Sequence, residues 1–523
     1  MTANLSDYRV GYRADYRAGG SNMAYRNNLH MHKAAGVHSG ASFVASLDDE
    51  REVWYDGQRV DVRTHPAFAG VLRELGRLYD LQHSDAHHKD MTWTSPQTGH
   101  LLSLSYLAPA TPAEFAAKTR NSHLWMEHSH GQLPRIPDFV ANVVVGLYDY
   151  RHELGKVDPQ FARNAENYYL YCREHDIALT HAIGDPQIDR SASLADHPDN
   201  ALRIVERRAD GVVVRGAKQL ATLAPYCHEV MVYLSPAFFM RSAPEYVIWF
   251  ALPIATPNLR LMCRESQTEH RNSFRHDLSS RYDEQDAMLF FDDVFIPKHR
   301  IFLLDDCQTA AAGFARISAW ALYVGQIRFY HRLRTFLGVA ALASKAIGVK
   351  DFREIGDQLG ELTSYVELVR LAIVGLQNEL RPTSGGHLAP GVTLALDAFA
   401  AQVSARVAQI VRVVCGSGLV MQPSEADLAN PVLRPLLERY MGGKDVDVVF
   451  KSRLFRLATE LVSDRYGMRQ ELYEMWNRGD IVRNRIALFE GYPGRAGIEA
   501  NIVALLDGAS AALQAANPGP ESK

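Results

Sequence analysis

Apolar residues return at helical spacing over Phe68, Val71, Leu72, Leu75, Leu78 and Tyr79, directly after His65-Pro66. That period predicts a helix with one buried face, opened by a proline in its first turn. Segments 113–130, 137–151 and 157–176 carry the same period, and Pro134 and Pro137 bracket a break between the first two. Upstream, Phe43, Leu47, Val53 and Tyr55 lead into Asp56-Gly57, a strong turn dipeptide, and Val60-Asp61-Val62 reads as a short strand. Residues 1–40 follow neither period. They are polar, with Gly19-Gly20 and several Asn and His. They read as an N-terminal extension, either an arm laid on a neighbour or a loosely ordered segment.

The period then shortens. Arg203–Arg208 meets Val212–Arg215 across Ala209-Asp210-Gly211 as a hairpin, and 230–234, 246–252, 259–263 and 287–291 are further β-rich runs. Short strands without intervening helices predict an antiparallel sheet or small barrel rather than a parallel α/β sheet. After Pro297 the helical period returns over 308–346, 351–381, 391–415 and 445–477, parted by loops holding Pro382, Gly385-Gly386, Pro390, Pro423, Pro431 and Gly442-Gly443. These four amphipathic stretches predict a helical bundle. The expected fold class is α+β. A helical domain spans 41–176, a central antiparallel β domain 177–300 and a four-helix bundle domain 301–514, before a flexible tail, 515–523, with Pro518-Gly519-Pro520.

Composition narrows the chemistry. Of 523 residues, 47% are hydrophobic and 22% charged, which excludes a disordered or fibrous chain. Lys+Arg total 56 against 60 Asp+Glu, a net charge of −4, so no basic face for nucleic acid is expected. The five cysteines never form a C-x-x-C pair. That disfavours a disulfide framework or thiolate metal site and suits a reducing cytoplasm. No run of ~18 apolar residues appears, so no membrane span is expected. The Tyr/Arg-rich start lacks the apolar core of a secretory signal. Neither G-x-G-x-x-G nor G-x-x-x-x-G-K-[ST] occurs, so a nucleotide cofactor would bind between lobes. His83, Asp85, His87 and His88 have ligand-like spacing, as do Glu127, His128 and His130. Without a matching third cluster they read as solvated faces, and no metal is expected.

Three strings are more specific: Pro134-Arg135-Ile136-Pro137-Asp138-Phe139, Thr180-His181-Ala182-Ile183-Gly184-Asp185-Pro186-Gln187-Ile188-Asp189-Arg190, and the run Asp277–Ala287 followed by Phe291–Pro297. In this order they resemble the 4-hydroxyphenylacetate 3-hydroxylase family, the oxygenase components of two-component flavin monooxygenases. The resemblance runs from about Phe43 to about Asn477. It implies an acyl-CoA dehydrogenase-like fold, with an N-terminal helical domain, a β domain and a C-terminal four-helix bundle, in homotetramers or homodimers. It also implies hydroxylation of an aromatic substrate, ortho to a phenolic hydroxyl. A separate NAD(P)H-flavin reductase supplies reduced FAD (FADH2), O2 is the co-substrate, and a C4a-hydroperoxyflavin delivers the oxygen. The phenol is either free or tethered to a carrier.

Carried over residue by residue, the resemblance gives Arg135 and His181 catalytic and substrate-binding roles. A permanently charged fork at Arg135 suits a phenolate or carboxylate, and His181 suits a hydrogen-bond donor. Phe139 stands where relatives commonly carry Tyr, so the aromatic wall remains without its hydroxyl. Ser235 falls on the substrate-side loop. The flavin would be held by His181, Ala182, Ile183, Gln187, Ile188, Asp189, Arg190 and Thr222, and from the bundle by Gly467, Met468, Arg469 and Gln470. Arg469 would meet phosphate, with Gly467 permitting close approach. Asp189–Arg190 reads equally as a structural ion pair, and Ser279, Ser280 and Arg281 read as structural. Two other classes stay open. One is a flavin-dependent dehydratase or dehydrogenase of the same fold, though no cysteine for a cluster lies before residue 172. The other is a non-catalytic flavin-binding protein.

Overall fold

The computed structural model describes residues 36–135, 137–189, 191–233, 243–268 and 272–516, with 508–516 in backbone only. Most of the expected N-terminal extension therefore lies outside the described residues, as do Arg190, Ser235 and 517–523.

The N-terminal helices begin where the sequence supplies caps. Helix α1 (Gly40–Ser46) opens on Ser39, and α2 (Pro66–Asp80) on His65 with Pro66 in its first turn. Helix α3 (Pro112–His128) opens on a Thr111–Glu114 capping box, α4 (Phe139–Asp149) follows the Pro137 break, and α5 (Pro159–Glu174) opens on Asp158. The sequence of α4, FVANVVVGLYD, is apolar almost all round and nearly all buried, so α4 is a core helix.

Strands β1 (Glu52–Tyr55) and β2 (Gln58–Arg59) close the Asp56-Gly57 hairpin. Residues 60–62, expected as the second strand, lie beyond it. The Asp61 carbonyl accepts from the Thr64 and His65 amides and turns the chain toward α2. Strands β3 (Thr92–Thr94) and β4 (Leu101–Ser103) pair separately. The others are β5 (Leu179–Ala182), β6 (Arg203–Arg208), β7 (Gly211–Thr222), β8 (Glu229–Val232), β9 (Ile248–Pro253), β10 (Leu259–Cys263), β11 (Asp286–Pro297) and β12 (Ile301–Leu304). They form a six-stranded sheet, β2-β1-β10-β11-β7-β6, and a four-stranded sheet, β12-β9-β8-β5. Most neighbours are antiparallel, but β1 with β10 and β5 with β8 are parallel, which corrects the purely antiparallel expectation. Parallel partners need a long crossover. The β6–β7 hairpin provides it between β5 and β8, and β1 arrives from the N-terminal segment.

The helical part contains α6 (Cys307–Ala346), α7 (Arg353–Asn378), α8 (Leu394–Cys415), α9 (Val448–Val462), α10 (Arg465–Trp476), α11 (Ile481–Glu490) and α12 (Arg495–Ala516). The single helix expected over 445–477 is thus two, broken at Ser463-Asp464, where the Asp464 side chain caps α10. Gly467 makes the elbow possible, because a Cβ there would stand 2.4 Å from the Leu461 carbonyl oxygen. Two short helices, Glu425–Ala429 and Arg434–Met441, occupy the stretch read as loop, and Ala515 and Ala516, assigned to the tail, finish α12. Residues Leu394–Leu419 are long and apolar enough to cross a membrane by length and composition. Their Val403, Val407, Ile410 and Val411 are nevertheless buried in the bundle.

Helix α4 lies so close to α6 that a Cβ on Gly146 would stand 2.2 Å from the Ile317 carbonyl oxygen. Gly146→Ala must therefore push two core helices apart, an overpacking that costs about 1–3 kcal/mol. The expected result is a lower midpoint in chemical denaturation. An unchanged midpoint would show that the α4–α6 contact yields freely.

Candidate active site

Pro134 and Pro137 brace the loop that delivers Arg135 to the start of α4. Arg135 is 7% exposed, and its guanidinium carbon lies 4.2 Å from the centre of the Phe139 ring and 5.2 Å from that of Tyr473 on α10. Its Nε and Nη1 have no hydrogen-bond partner among the described residues. His181, on β5, sets its ring 5.6 Å from Phe139, edge to face, and its Nδ1 lies 2.7 Å from the Tyr233 hydroxyl. Burial, helped by the Arg135 charge, holds the imidazole pKa well below its ordinary value, so His181 is neutral.

The opposite side is built by Glu284, Gln285 and Asp286, which lead into β11, and by α10. Arg469 donates to Asp286 at 2.9 and 2.6 Å and also to Glu284. Asp286 further accepts from the Thr222 hydroxyl at 2.7 Å and from Arg264 at 3.2 Å. Burial works against the Asp286 charge, but Arg469, Arg264 and Thr222 outweigh it and hold the pKa down at about 2. Burial wins at Glu284, whose pKa is pushed up to about 7 against the pull of Arg469 and Arg135. Glu284 Oε2 and both amide atoms of Gln285 and of Gln470 are buried without a partner. Such groups cost about 1–3 kcal/mol each when left unmatched. Glu284 and Gln285 precede β11 and Gln470 lies on α10, next to the Arg469 that bonds Glu284.

The expected site residues thus divide. Arg135, Phe139 and His181 meet, and Gln470 lies one turn before Tyr473 on α10. Thr222 and Arg469 serve Asp286 first, so the Arg469 fork meets carboxylates where a phosphate was expected. Gly467 permits close approach to the chain's own Leu461. Ala182 is buried and Ile183 half-buried, whereas Gln187, Asp189, Ile188 and Met468 are exposed. Asp189 accepts from the Ser191 amide and hydroxyl. Ser279 donates to Glu460 and Arg281 to Glu74, as structural readings require. Of the two histidine spacings, His87 and His128 come together at 5.0 Å between rings.

Sequence reasoning missed Tyr233, Tyr473, Glu284, Gln285 and Asp286. The last three had a signal: Asp283-Glu284-Gln285-Asp286 is a polar run abutting a strand, and all four residues are buried. Tyr233 and Tyr473 had none beyond ordinary aromatic positions.

Glu284 gives the stability a pH dependence. Its folded-state pKa, about 7, lies above the ordinary 4.5, so its contribution is complete below pH 4.5 and is lost as pH rises through 7. Asp286 is the reverse, stabilising above its ordinary 3.8 and losing that contribution as pH falls toward 2. Urea titrations of Glu284→Gln should show a smaller loss of unfolding free energy between about pH 5 and 7.5 than the parent. Equal losses would remove Glu284 as the group responsible.

Family models match nearly the whole chain: 4-hydroxyphenylacetate 3-hydroxylase N terminal over residues 39–303 and C terminal over 309–501. The 4-hydroxyphenylacetate 3-monooxygenase oxygenase component of Geobacillus sp. (strain PA-9) is 33% identical over 87% of this chain and 93% of its own. That of Thermus thermophilus is 32% identical over 87% and 94%. A crystal structure of the oxygenase component of 4-hydroxyphenylacetate 3-monooxygenase, complexed with FAD and 4-hydroxyphenylacetate, matches with a TM-score of 0.86 at 30% identity. The match covers 91% of this chain and 100% of that one. An archaeal 4-hydroxybutyryl-CoA dehydratase from N. maritimus matches at 0.80 with 19% identity over 90% and 95%, a likeness of fold alone. The strings around Arg135, His181 and Asp277–Ala287 lie inside the first matched region, and the chain belongs to the 4-hydroxyphenylacetate 3-hydroxylase family.

Proposed function

We propose that this protein is the oxygenase component of a two-component flavin monooxygenase that hydroxylates a phenol at the ortho position. The observation that carries this reading is the buried meeting of Arg135, Phe139 and a neutral His181, with two guanidinium N–H groups unmatched. Reduced FAD, when bound, activates O2 and supplies the oxygen atom that reaches the aromatic ring.

The residues fit that cofactor. The unmatched amides of Gln285 and Gln470 offer donors and acceptors in alternation, as a heteroaromatic edge requires. The rest of the flavin would run along Ala182, Ile183 and the exposed Gln187–Asp189 loop with Arg190, and past Gly467 and Met468. In this reading Arg469 and Thr222 act at one remove, by fixing Asp286. Arg135 binds the anionic oxygen of the substrate, Phe139 walls its ring, and the neutral His181 adds a hydrogen-bonding group beside them. Burial of all three excludes water. A separate flavin reductase is the required partner. Cys172, Cys227, Cys263 and Cys415 are buried thiols outside any disulfide, which suits a reducing cytoplasm.

The assembly is a homodimer or homotetramer. Ile498, Ile502, Val503, Leu505 and Leu506 on α12 and Val482, Ile486 and Phe489 on α11 are each more than half exposed. An apolar surface of this extent fits burial against further copies. Sedimentation should find the parent oligomeric and Ile502→Glu/Leu505→Glu shifted toward monomer; a monomeric parent ends this part of the reading.

The catalytic assignment is tested with chemically reduced FAD, O2 and 4-hydroxyphenylacetate as the first phenol. Arg135→Ala and His181→Ala should each lower product formation by about a hundredfold or more while the variants keep the parental circular dichroism spectrum. Parental hydroxylation by either variant would strip that residue of its role.

A further inference from the structure

We propose that Tyr233 is a positioning residue for this reaction: its hydroxyl, backed by Ser318, fixes His181 as a hydrogen-bond donor toward the Arg135–Phe139 cleft. The inference rests on the function proposed above and deepens it. Tyr233 follows β8, the strand that pairs in parallel with β5, where His181 sits opposite Met231. Its ring is 2% exposed and is wedged between Trp249 and Phe314, with centres 6.2 and 5.8 Å away. The side chain therefore has one place to go, and its hydroxyl lies 2.7 Å from His181 Nδ1.

The direction of that bond decides the chemistry. A neutral imidazole carries one proton, on either nitrogen. A phenolic O–H is a stronger donor than acceptor, and Ser318, on α6, lies close enough to the same hydroxyl to satisfy its oxygen. The phenolic proton is then free for Nδ1. With the Nδ1 lone pair engaged by Tyr233, the imidazole proton resides on Nε2. Phe139 adds no hydroxyl. Arg135 then offers Nε and Nη1, unmatched among the described residues, and His181 adds its Nε2–H, so this side of the site presents donors. These donors match an acceptor oxygen on an aromatic ring, as the function proposed above requires. They disfavour ring amines and neutral donors, which would leave these groups unmatched.

Two readouts test this on the full-length protein: hydroxylation of 4-hydroxyphenylacetate with chemically reduced FAD, and 15N spectra of histidine-labelled protein. Tyr233→Phe should lower kcat on the order of tenfold or more. The KM for reduced FAD should stay unchanged, and the His181 resonances should move from the Nε2-protonated pattern to a tautomer mixture. Ser318→Ala should shift both readouts in the same direction by less, and it keeps the test alive if Tyr233→Phe melts early. Parental kcat together with an unchanged tautomer in Tyr233→Phe would overturn the proposal, as would an Nδ1-protonated His181 in the parent. Failure of the underlying reading looks different, since the parent itself would not hydroxylate.

Discussion

Arg469 projects from α10 into a buried site and shares its fork between Asp286, the first residue of β11, and Glu284. One bundle helix is thereby tied to the end of the six-stranded sheet by charge-assisted bonds with fixed geometry. Buried ion pairs of this kind add little net stability against an apolar alternative, yet breaking one by removing a single partner costs about 3–5 kcal/mol. Their structural effect is registration. Gln470 and Tyr473 follow Arg469 on the same helix, so the clamp that places Arg469 also places the Tyr473 ring against Arg135.

The clamp also explains the charge left over at Arg135. Glu284 and Asp286 are claimed by Arg469, with Arg264 and Thr222 completing Asp286. Asp138, three residues after Arg135, is fully buried, and burial pushes its pKa up to about 7, halfway to neutral. No ion pair joins Arg135 to a carboxylate among the described residues. Its guanidinium instead lies over Phe139 and Tyr473, where aromatic faces return about 0.5–2 kcal/mol each. A buried cation held by rings rather than by an acid keeps its field for a ligand, and the same field helps keep His181 uncharged.

Much of the helical pattern was legible, because caps and apolar periods are local. Pro66 with His65, Thr111 with Glu114, and Asp158 with Pro159 start helices within a residue or two of expectation. The sheet was legible as hairpins but not as pairings. That β1 lies beside β10 depends on contacts some two hundred residues apart. The break at Ser463-Asp464 was hidden by continuous amphipathicity on both sides, though Gly467 was its trace. Arg135, Phe139 and His181 were legible only through a resemblance of whole strings. Nothing in the local pattern distinguishes Tyr233 from any buried tyrosine, and Arg469 looked free for a phosphate because its carboxylates lie nearly two hundred residues upstream.

That distance is itself a property of the site. Arg135 comes from a proline-braced loop, His181 and Tyr233 from paired strands of the smaller sheet, Glu284 and Gln285 from the approach to the larger one, and Gln470 and Tyr473 from the bundle. No single element holds two of the facing walls. These side chains come together only when helices, both sheets and bundle are docked, so shifts at the α4–α6 or α9–α10 contacts move them as well as cost stability. On the function proposed above, whose main hazard is water beside an oxygen-activating cofactor, a cluster that forms only in the fully packed state is protected by the same contacts that build it.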